Sequence, residues 1–401
     1  VPGGPQLDPS LAPTHDELLL GSMLRAQPGL APLPRERRTP RTAIEDLLRP
    51  ALQRGRCFVL FSGGLDSSVL LAVAVHVARR EGLALPVPIT HRYTADPGTD
   101  EREWQELVVR HLGLTDWVIS DLTDEHDLLG PGGASALERH GVQLPAYWWI
   151  ARLPVSAGGT PIAGPPASER SATLVTGHGG DEAFPGSPWP RVSRLLGGDP
   201  RALRHPVALR REIRTVRWRE RYVAQILVDE MAWVRPAHRA RLAEQRAREI
   251  VALRRRYARY LDGLWASRLT QGTHDRVGVA AAESGAELLS PMQAPTVLAA
   301  LARRYGWVAP TSRSAAYREI AGELLPEALL QRTSKGVASS SFVGPHTRAW
   351  LEAWDGDGPD AAEVDGREVR RLLLALADGS GVGGDARVTA LVARAWLAGR
   401  G

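Results

Sequence analysis

Phe58-Val-Leu-Phe-Ser-Gly-Gly-Leu-Asp-Ser-Ser-Val69 decides the fold. Phe58 to Phe61 reads as a short buried strand. Two adjacent glycines follow, and an apolar run then reads as a helix opening at Asp66, Ser67 and Ser68. A strand that turns through glycines into a helix N-terminus makes an anion cradle. The glycines admit close backbone approach, and the unpaired N–H groups and dipole of the helix point at the bound anion. Ser62, Ser67 and Ser68 add hydroxyl donors to Gly63 and Gly64, and Asp66 adds a carboxylate able to hold a divalent cation beside phosphates. The loop is not G-x-x-x-x-G-K-[ST], because it lacks the lysine and its glycines are adjacent.

The surrounding chain alternates strand and helix. Ala43–Arg49 predicts a helix interrupted by Pro50, Cys57–Phe61 a strand, and Ser67–Arg80 a helix closed by Gly82. Val87–Tyr93 predicts a second strand. Asp100 then caps a helix over Glu101–Leu112 that stops at Gly113. Trp117–Ser120 and Ala172–Thr176 read as further strands. This spacing predicts an α/β fold with a doubly wound parallel sheet, whose ligands bind outside the carboxyl ends of the strands. Residues 1–42 carry eight prolines and read as extended or loosely ordered around a short helix near His15–Arg25. Residues 152–171, rich in Gly, Pro, Ala and Ser, read as a surface loop. From Arg201 the chain reads as mostly helical, with breaks near Gly272, Ser290-Pro291, Gly306 and Lys335-Gly336. The division expected is 1–42 as a Pro-rich segment, 43–195 as the α/β core and 196–401 as a mostly helical substrate region.

Composition narrows the function classes. At 401 residues there is ample apolar content for a large core, and no apolar run reaches the roughly 20 residues of a membrane span. No secretory signal is evident at the start, so a cytoplasmic protein is expected. The single cysteine, Cys57, excludes an internal disulfide and reads as a quiet core residue. Of 50 basic residues only Lys335 is lysine, against a net charge of +5. The arginines of 209–259 alternate with glutamates and apolar residues, which reads as a solvated helical face; nucleic acid is not an expected partner.

A second loop, Thr176-Gly-His-Gly-Gly-Asp-Glu182, closes the strand at Ala172–Thr176. Gly177 and Gly179 give it backbone freedom, and Asp181 reads as a second carboxylate facing Asp66. Two carboxylates with phosphate oxygens suit Mg²⁺, which keeps several waters and takes few protein ligands.

The first loop resembles the S-G-G-x-D-S pyrophosphate loop of enzymes that split ATP into AMP and pyrophosphate. The ordered pair S-G-G-L-D-S-S and G-x-G-x-D-E resembles the synthetase domain of class B asparagine synthetases, whose relatives include β-lactam synthetases and lasso-peptide macrolactam cyclases. Further matches are His274-Asp-Arg-Val-Gly-Val-Ala-Ala-Ala282, Gly285-Ala-Glu-Leu-Leu-Ser-Pro291 and Leu325-Pro-Glu-Ala-Leu-Leu-Gln-Arg-Thr-Ser-Lys-Gly336. The last shows R-x-x-K where asparagine synthetases tend to show R-x-K. The resemblance implies the ATP-pyrophosphatase fold with ATP and Mg²⁺. It also implies adenylation of a small-molecule or peptide carboxylate and attack by an amine. It gives Lys335 a catalytic role, and the survival of one lysine among arginines agrees with that.

The departures shape the expected substrate. The chain opens with valine and about 45 residues precede the synthetase region, so no glutaminase is expected there. Ammonia would come from a separate partner protein, or another amine is the nucleophile. His178 stands where asparagine synthetases carry glutamate, and as a neutral imidazole it is a candidate general base or a shaper of the pocket. The P-F-L-D aspartate of the family is lost in Pro291-Met-Gln-Ala294, and Leu289 replaces an arginine. Glu287 remains as a candidate substrate contact. The expected function is an amide synthetase of specialised metabolite or lasso-type peptide biosynthesis. The alternatives are an ammonia-using asparagine synthetase, a tRNA-modifying ATP-loop enzyme and a non-catalytic partner.

Overall fold

The structure, a computed structural model, describes residues 5–400 except 25, 55, 94–99, 147, 152–171, 185–189, 197, 199, 218, 254–255, 333–338 and 382. The expected loop at 152–171 and the break at Lys335-Gly336 lie outside the described residues.

Five parallel strands make one sheet: β1 (Cys57–Leu60), β2 (Val87–Tyr93), β3 (Val118–Leu122), β4 (Ala172–Val175) and β5 (Ala286–Leu289), in the order β3-β2-β1-β4-β5. Phe58 stands opposite Val87 on one side and Leu174 on the other. The chain winds outward from β1 through β2 to β3, then returns to β4 on the other side of β1. The direction of winding therefore reverses between β1 and β4. In a doubly wound sheet the crevice at that reversal, beyond the carboxyl ends of the two strands, is where ligands sit.

Side-chain alternation sends β1 residues to opposite layers. Val59 and Phe61 face a core built with the helices Pro40–Gln53, Leu65–Glu81, Pro295–Tyr305 and Arg313–Ala321. Phe58, with Ile89 and Leu174, faces Ala281 of the helix Arg268–Glu283. Beyond that helix a third cluster joins Leu18 to Leu20, Met23 and Leu24 to the helices Pro236–Leu253, Gly366–Ala377 and Thr389–Ala398. Cys57 is buried, and desolvation pushes its thiol up to about 12, as a quiet core residue requires.

Local signals place most of these elements. The helix Leu65–Glu81 ends where Gly82 turns left-handed at φ 65°. Asp100 accepts a hydrogen bond from the Arg102 amide (2.9 Å) at the start of Arg102–His111. Three expectations are corrected. Pro50 does not end its helix, which runs Pro40–Gln53, because Leu48, Ala51 and Leu52 are all buried beside it. Burying such side chains is worth about 1.5–3 kcal/mol each for the larger ones, enough to offset the roughly 3 kcal/mol cost of an internal proline. Gly272 does not break Arg268–Glu283; a methyl there would collide with the Arg276 guanidinium, so the glycine makes room for it. Ala286–Leu289, inside the region expected to be mostly helical, is the edge strand β5.

The proline-rich segment is anchored, although much of it is extended. Thr14 and Glu17 form a capping box on the helix His15–Leu20. Glu17 is buried and accepts from Arg268 Nη1 at 3.0 and 3.2 Å and from the Leu24 amide. Arg276, 1% exposed, donates to the Leu11 carbonyl (2.6 Å) and to Gln143 Oε1 (2.9 Å), with Met23 Sδ at 3.5 Å. Desolvation draws its pKa down to about 10, so it remains charged at neutral pH. Arg276→Ala removes both donors and leaves a cavity, at about 1–3 kcal/mol per orphaned acceptor. A total loss of about 3–5 kcal/mol is expected, read as a lower urea midpoint at unchanged slope.

Candidate active site

The carboxyl end of β1 delivers Ser62, Gly63 and Gly64 into the crevice. Gly63 holds φ 82°, a left-handed conformation natural to glycine, and a side chain there would press on Gln105. Gln105 Nε2 donates to the Ser62 carbonyl at 3.2 Å and fixes the turn. Gly64 is the N-cap of Leu65–Glu81, and among the described residues no side chain caps that first turn. Its amides and the helix dipole are thus presented to the crevice. Ser67 and Ser68 are buried and donate back to the Gly64 carbonyl at 3.1 and 2.8 Å. Their hydroxyls stiffen the loop, whereas Ser62 stays at its exposed edge, with Oγ 3.2 Å from the Gly64 amide.

The second loop, after β4, packs directly on the first. A methyl on Gly177 would sit 3.1 Å from the Ser67 amide and 3.2 Å from Asp66 Cβ. One on Gly180 would collide with Asp66 Oδ1 and lie 2.8 Å from the Tyr317 hydroxyl. Gly179, at φ 94°, lies against Met292 and Gln293. Only glycines allow this approach, which brings Ser62, Gly63, Gly64, Asp66, Gly177, Gly179 and Asp181 to one sheet edge.

Asp66 and Asp181 converge on a group that sequence reasoning missed. Arg313 Nη1 donates to Asp66 Oδ2 at 3.0 Å and to Asp181 Oδ1. The Tyr317 hydroxyl donates to Asp66 Oδ1 at 2.5 Å. Burial, and then the Asp66 charge, raise the Tyr317 pKa well above the phenol range, so it stays a donor. Arg313 and Tyr317 lie four residues apart in Arg313–Ala321, on one face of the helix. That spacing was the one available signal, and it does not name a partner nearly 250 residues away. The carboxylate pair fits a divalent cation completed by phosphate oxygens and water. Among the described residues no group of three or more His, Cys, Asp and Glu gathers as a metal site.

His178 is half-buried beside Gly179, and its Nδ1 has no hydrogen-bond partner among the described residues. Burial, aided by the neighbouring His274, lowers its pKa, so the ring is neutral at pH 7. Among the described residues Gln293 Oε1, close to the same glycine, is also buried without a hydrogen-bond partner. Lys335 lies outside the described residues. Three positions before it, Arg332 packs over Trp104 (4.8 Å), contacts the Gly63 carbonyl at 3.4 Å and pairs with Glu101. Glu287 is not brought to this site. It stands opposite Thr173, near the amino end of β4, and pairs with Arg54 at 3.2 Å.

Two further histidines lie near the carboxyl ends of β2 and β3. The rings of His91 and His126 are 6.2 Å apart, and His126 stacks on Phe342. Burial holds His91 at about 4, partly opposed by Glu125. Burial, together with the neighbouring His91, holds His126 at about 3. An unfolded histidine titrates near 6.5, so between that pH and about 4 the unfolded chain takes up protons the folded chain refuses. Stability is full above pH ~6.5 and falls on acidification by about 1.4 kcal/mol per pH unit for each ring. Urea midpoints at pH 7.5, 6.5, 5.5 and 4.5 should show this slope, and His126→Gln should roughly halve it, leaving the His91 share.

In doubly wound α/β sheets, a glycine-rich turn into a helix at the reversal point is a common place for anionic ligands. Residues 43–130 match the family model described as asparagine synthase. Over that stretch the chain is similar to asparagine synthases, an ATP-using, amide-forming family. The match takes in β1 to β3 and the first loop; the second loop, Arg313 and Lys335 lie beyond it. No curated protein gives a match to the chain. Among the described residues no helix is long and apolar enough to cross a membrane.

Proposed function

We propose that this chain uses ATP to adenylate a carboxylate, releases pyrophosphate, and passes the acyl group to an amine other than free ammonia. The product would be a specialised metabolite or a peptide lactam, made in the cytoplasm where ATP is supplied. The observation that carries the reading is the packing of Gly177 and Gly180 on Asp66, which joins the two loops at the sheet's reversal point.

The roles follow from the chemistry. The Gly63–Gly64 amides, Ser62 and the first turn of Leu65–Glu81 bind the phosphates as fixed dipoles. Asp66 and Asp181 would hold Mg²⁺, which supplies charge neutralisation when bound. Lys335 is assigned to the charge that builds at the α-phosphate and the acyl oxygen. A compact ammonium suits a crowded, changing centre better than a planar fork. His178, neutral at pH 7, is suited to take a proton from the attacking amine. His178 Nδ1 and Gln293 Oε1, which have no hydrogen-bond partner among the described residues, suit a nucleophile that brings its own N–H groups. Ala294, just after the buried Pro291–Gln293 turn, stands where the family carries its aspartate, which supports a substrate other than aspartate.

The test is product analysis with purified protein, ATP, Mg²⁺ and a panel of carboxylates, using hydroxylamine as a general trap. AMP and pyrophosphate with a hydroxamate are expected. ADP and phosphate instead would refute adenylation. Robust asparagine formation from aspartate and ammonium would replace this reading with an asparagine synthetase.

A further inference from the structure

Asp66 has both carboxylate oxygens engaged, Oδ1 by the Tyr317 hydroxyl and Oδ2 by Arg313. The same Arg313 nitrogen reaches Asp181. A single guanidinium N–H donor group therefore stands between the two carboxylates, the position a divalent cation bound by both would take. Tyr317 cannot give way, because it is fully buried and packed edge-on against Phe184 at 5.2 Å. Asp66 cannot retreat toward the second loop, where Gly180 is already in contact. Arg313 can move: it is the first residue of its helix, held there by the Ser312 cap, and its side chain is a quarter exposed.

We propose that Arg313 competes with a divalent cation for Asp66 and Asp181, so that the cation binds tightly only when a polyphosphate accepts the displaced guanidinium. The planar fork of arginine matches phosphate oxygens, and the exchange keeps each carboxylate neutralised at every stage. The second half of this proposal rests on the ATP reading above, while the competition itself does not.

The decisive comparison is Mn²⁺ binding to the full chain without nucleotide, followed by electron paramagnetic resonance. Wild type should bind weakly. Arg313→Gln should bind about tenfold or more tightly, as expected when a charge-assisted hydrogen bond no longer has to be broken. Arg313→Lys, which keeps the charge, should remain weak. Adding Asp181→Asn to Arg313→Gln should abolish the gain, which identifies the site. Equal or weaker Mn²⁺ binding by a folded Arg313→Gln protein would overturn the competition. Calorimetry with ATP and Mg²⁺ on wild type is the separate arm: absent ATP binding would sink the nucleotide reading and the polyphosphate half of the exchange, while the nucleotide-free comparison would still decide the role of Arg313.

Discussion

Gly180→Ala is expected to weaken ATP binding and lower turnover by about 10²-fold while the chain stays folded. The added methyl would collide with Asp66 Oδ1 and stand 2.8 Å from the Tyr317 hydroxyl. Tyr317 is locked in the core, so the carboxylate must shift and lose its bonds to Tyr317 and Arg313. A displacement near 1 Å in a positioning group typically costs that much rate. Overpacking of about 1–3 kcal/mol is partly offset by the better helix propensity of alanine, about 1 kcal/mol, in the short helix Gly180–Ala183. Calorimetric ATP binding, pyrophosphate release and a urea midpoint measured together check this. Wild-type affinity and rate in a folded Gly180→Ala protein would show that the loops do not work as one site.

Lys335→Ala should give the opposite division: ATP affinity nearly unchanged and product formation reduced by about 10³-fold. A charge that acts on the developing transition state contributes to kcat without adding to ground-state binding. Isothermal titration with ATP beside single-turnover product analysis separates the two quantities. If affinity and rate fall together, the lysine is a ground-state phosphate ligand. This position is assigned through family resemblance and through its isolation among arginines, so the result bears directly on whether that composition carries function.

What could be read from the chain alone was local. The β1 run, the paired glycines and the helix that follows are specified within twelve residues, and the observed strand Cys57–Leu60 and helix Leu65–Glu81 agree with that reading. The second loop was legible for the same reason. The helix across Pro50 was not, because burial of Leu48, Ala51 and Leu52 comes from partners far away in sequence. Strand β5 was hidden by its length of four residues and by the helices on either side. Asp66 and Asp181 were recognisable as a carboxylate pair, but their contact with Arg313 joins residues 247 and 132 positions apart. Glu287 resembled a family contact in its local segment, yet its strand register carries it toward the opposite end of the sheet.

The anchored amino-terminal segment bears on how this chain can be divided for laboratory work. The family match begins at residue 43, which invites a shortened protein starting there. Such a fragment would lose Leu18 to Leu20, Met23 and Leu24 from the third cluster and strip Arg268 and Arg276 of Glu17 and the Leu11 carbonyl. The buried Arg276 guanidinium, the half-buried Arg268 and an apolar helix face would be laid open to water together, the recipe for a sticky, misfolding product. The minimal unit that folds is thus larger than the unit that can be recognised, and catalytic studies need the residues that precede it.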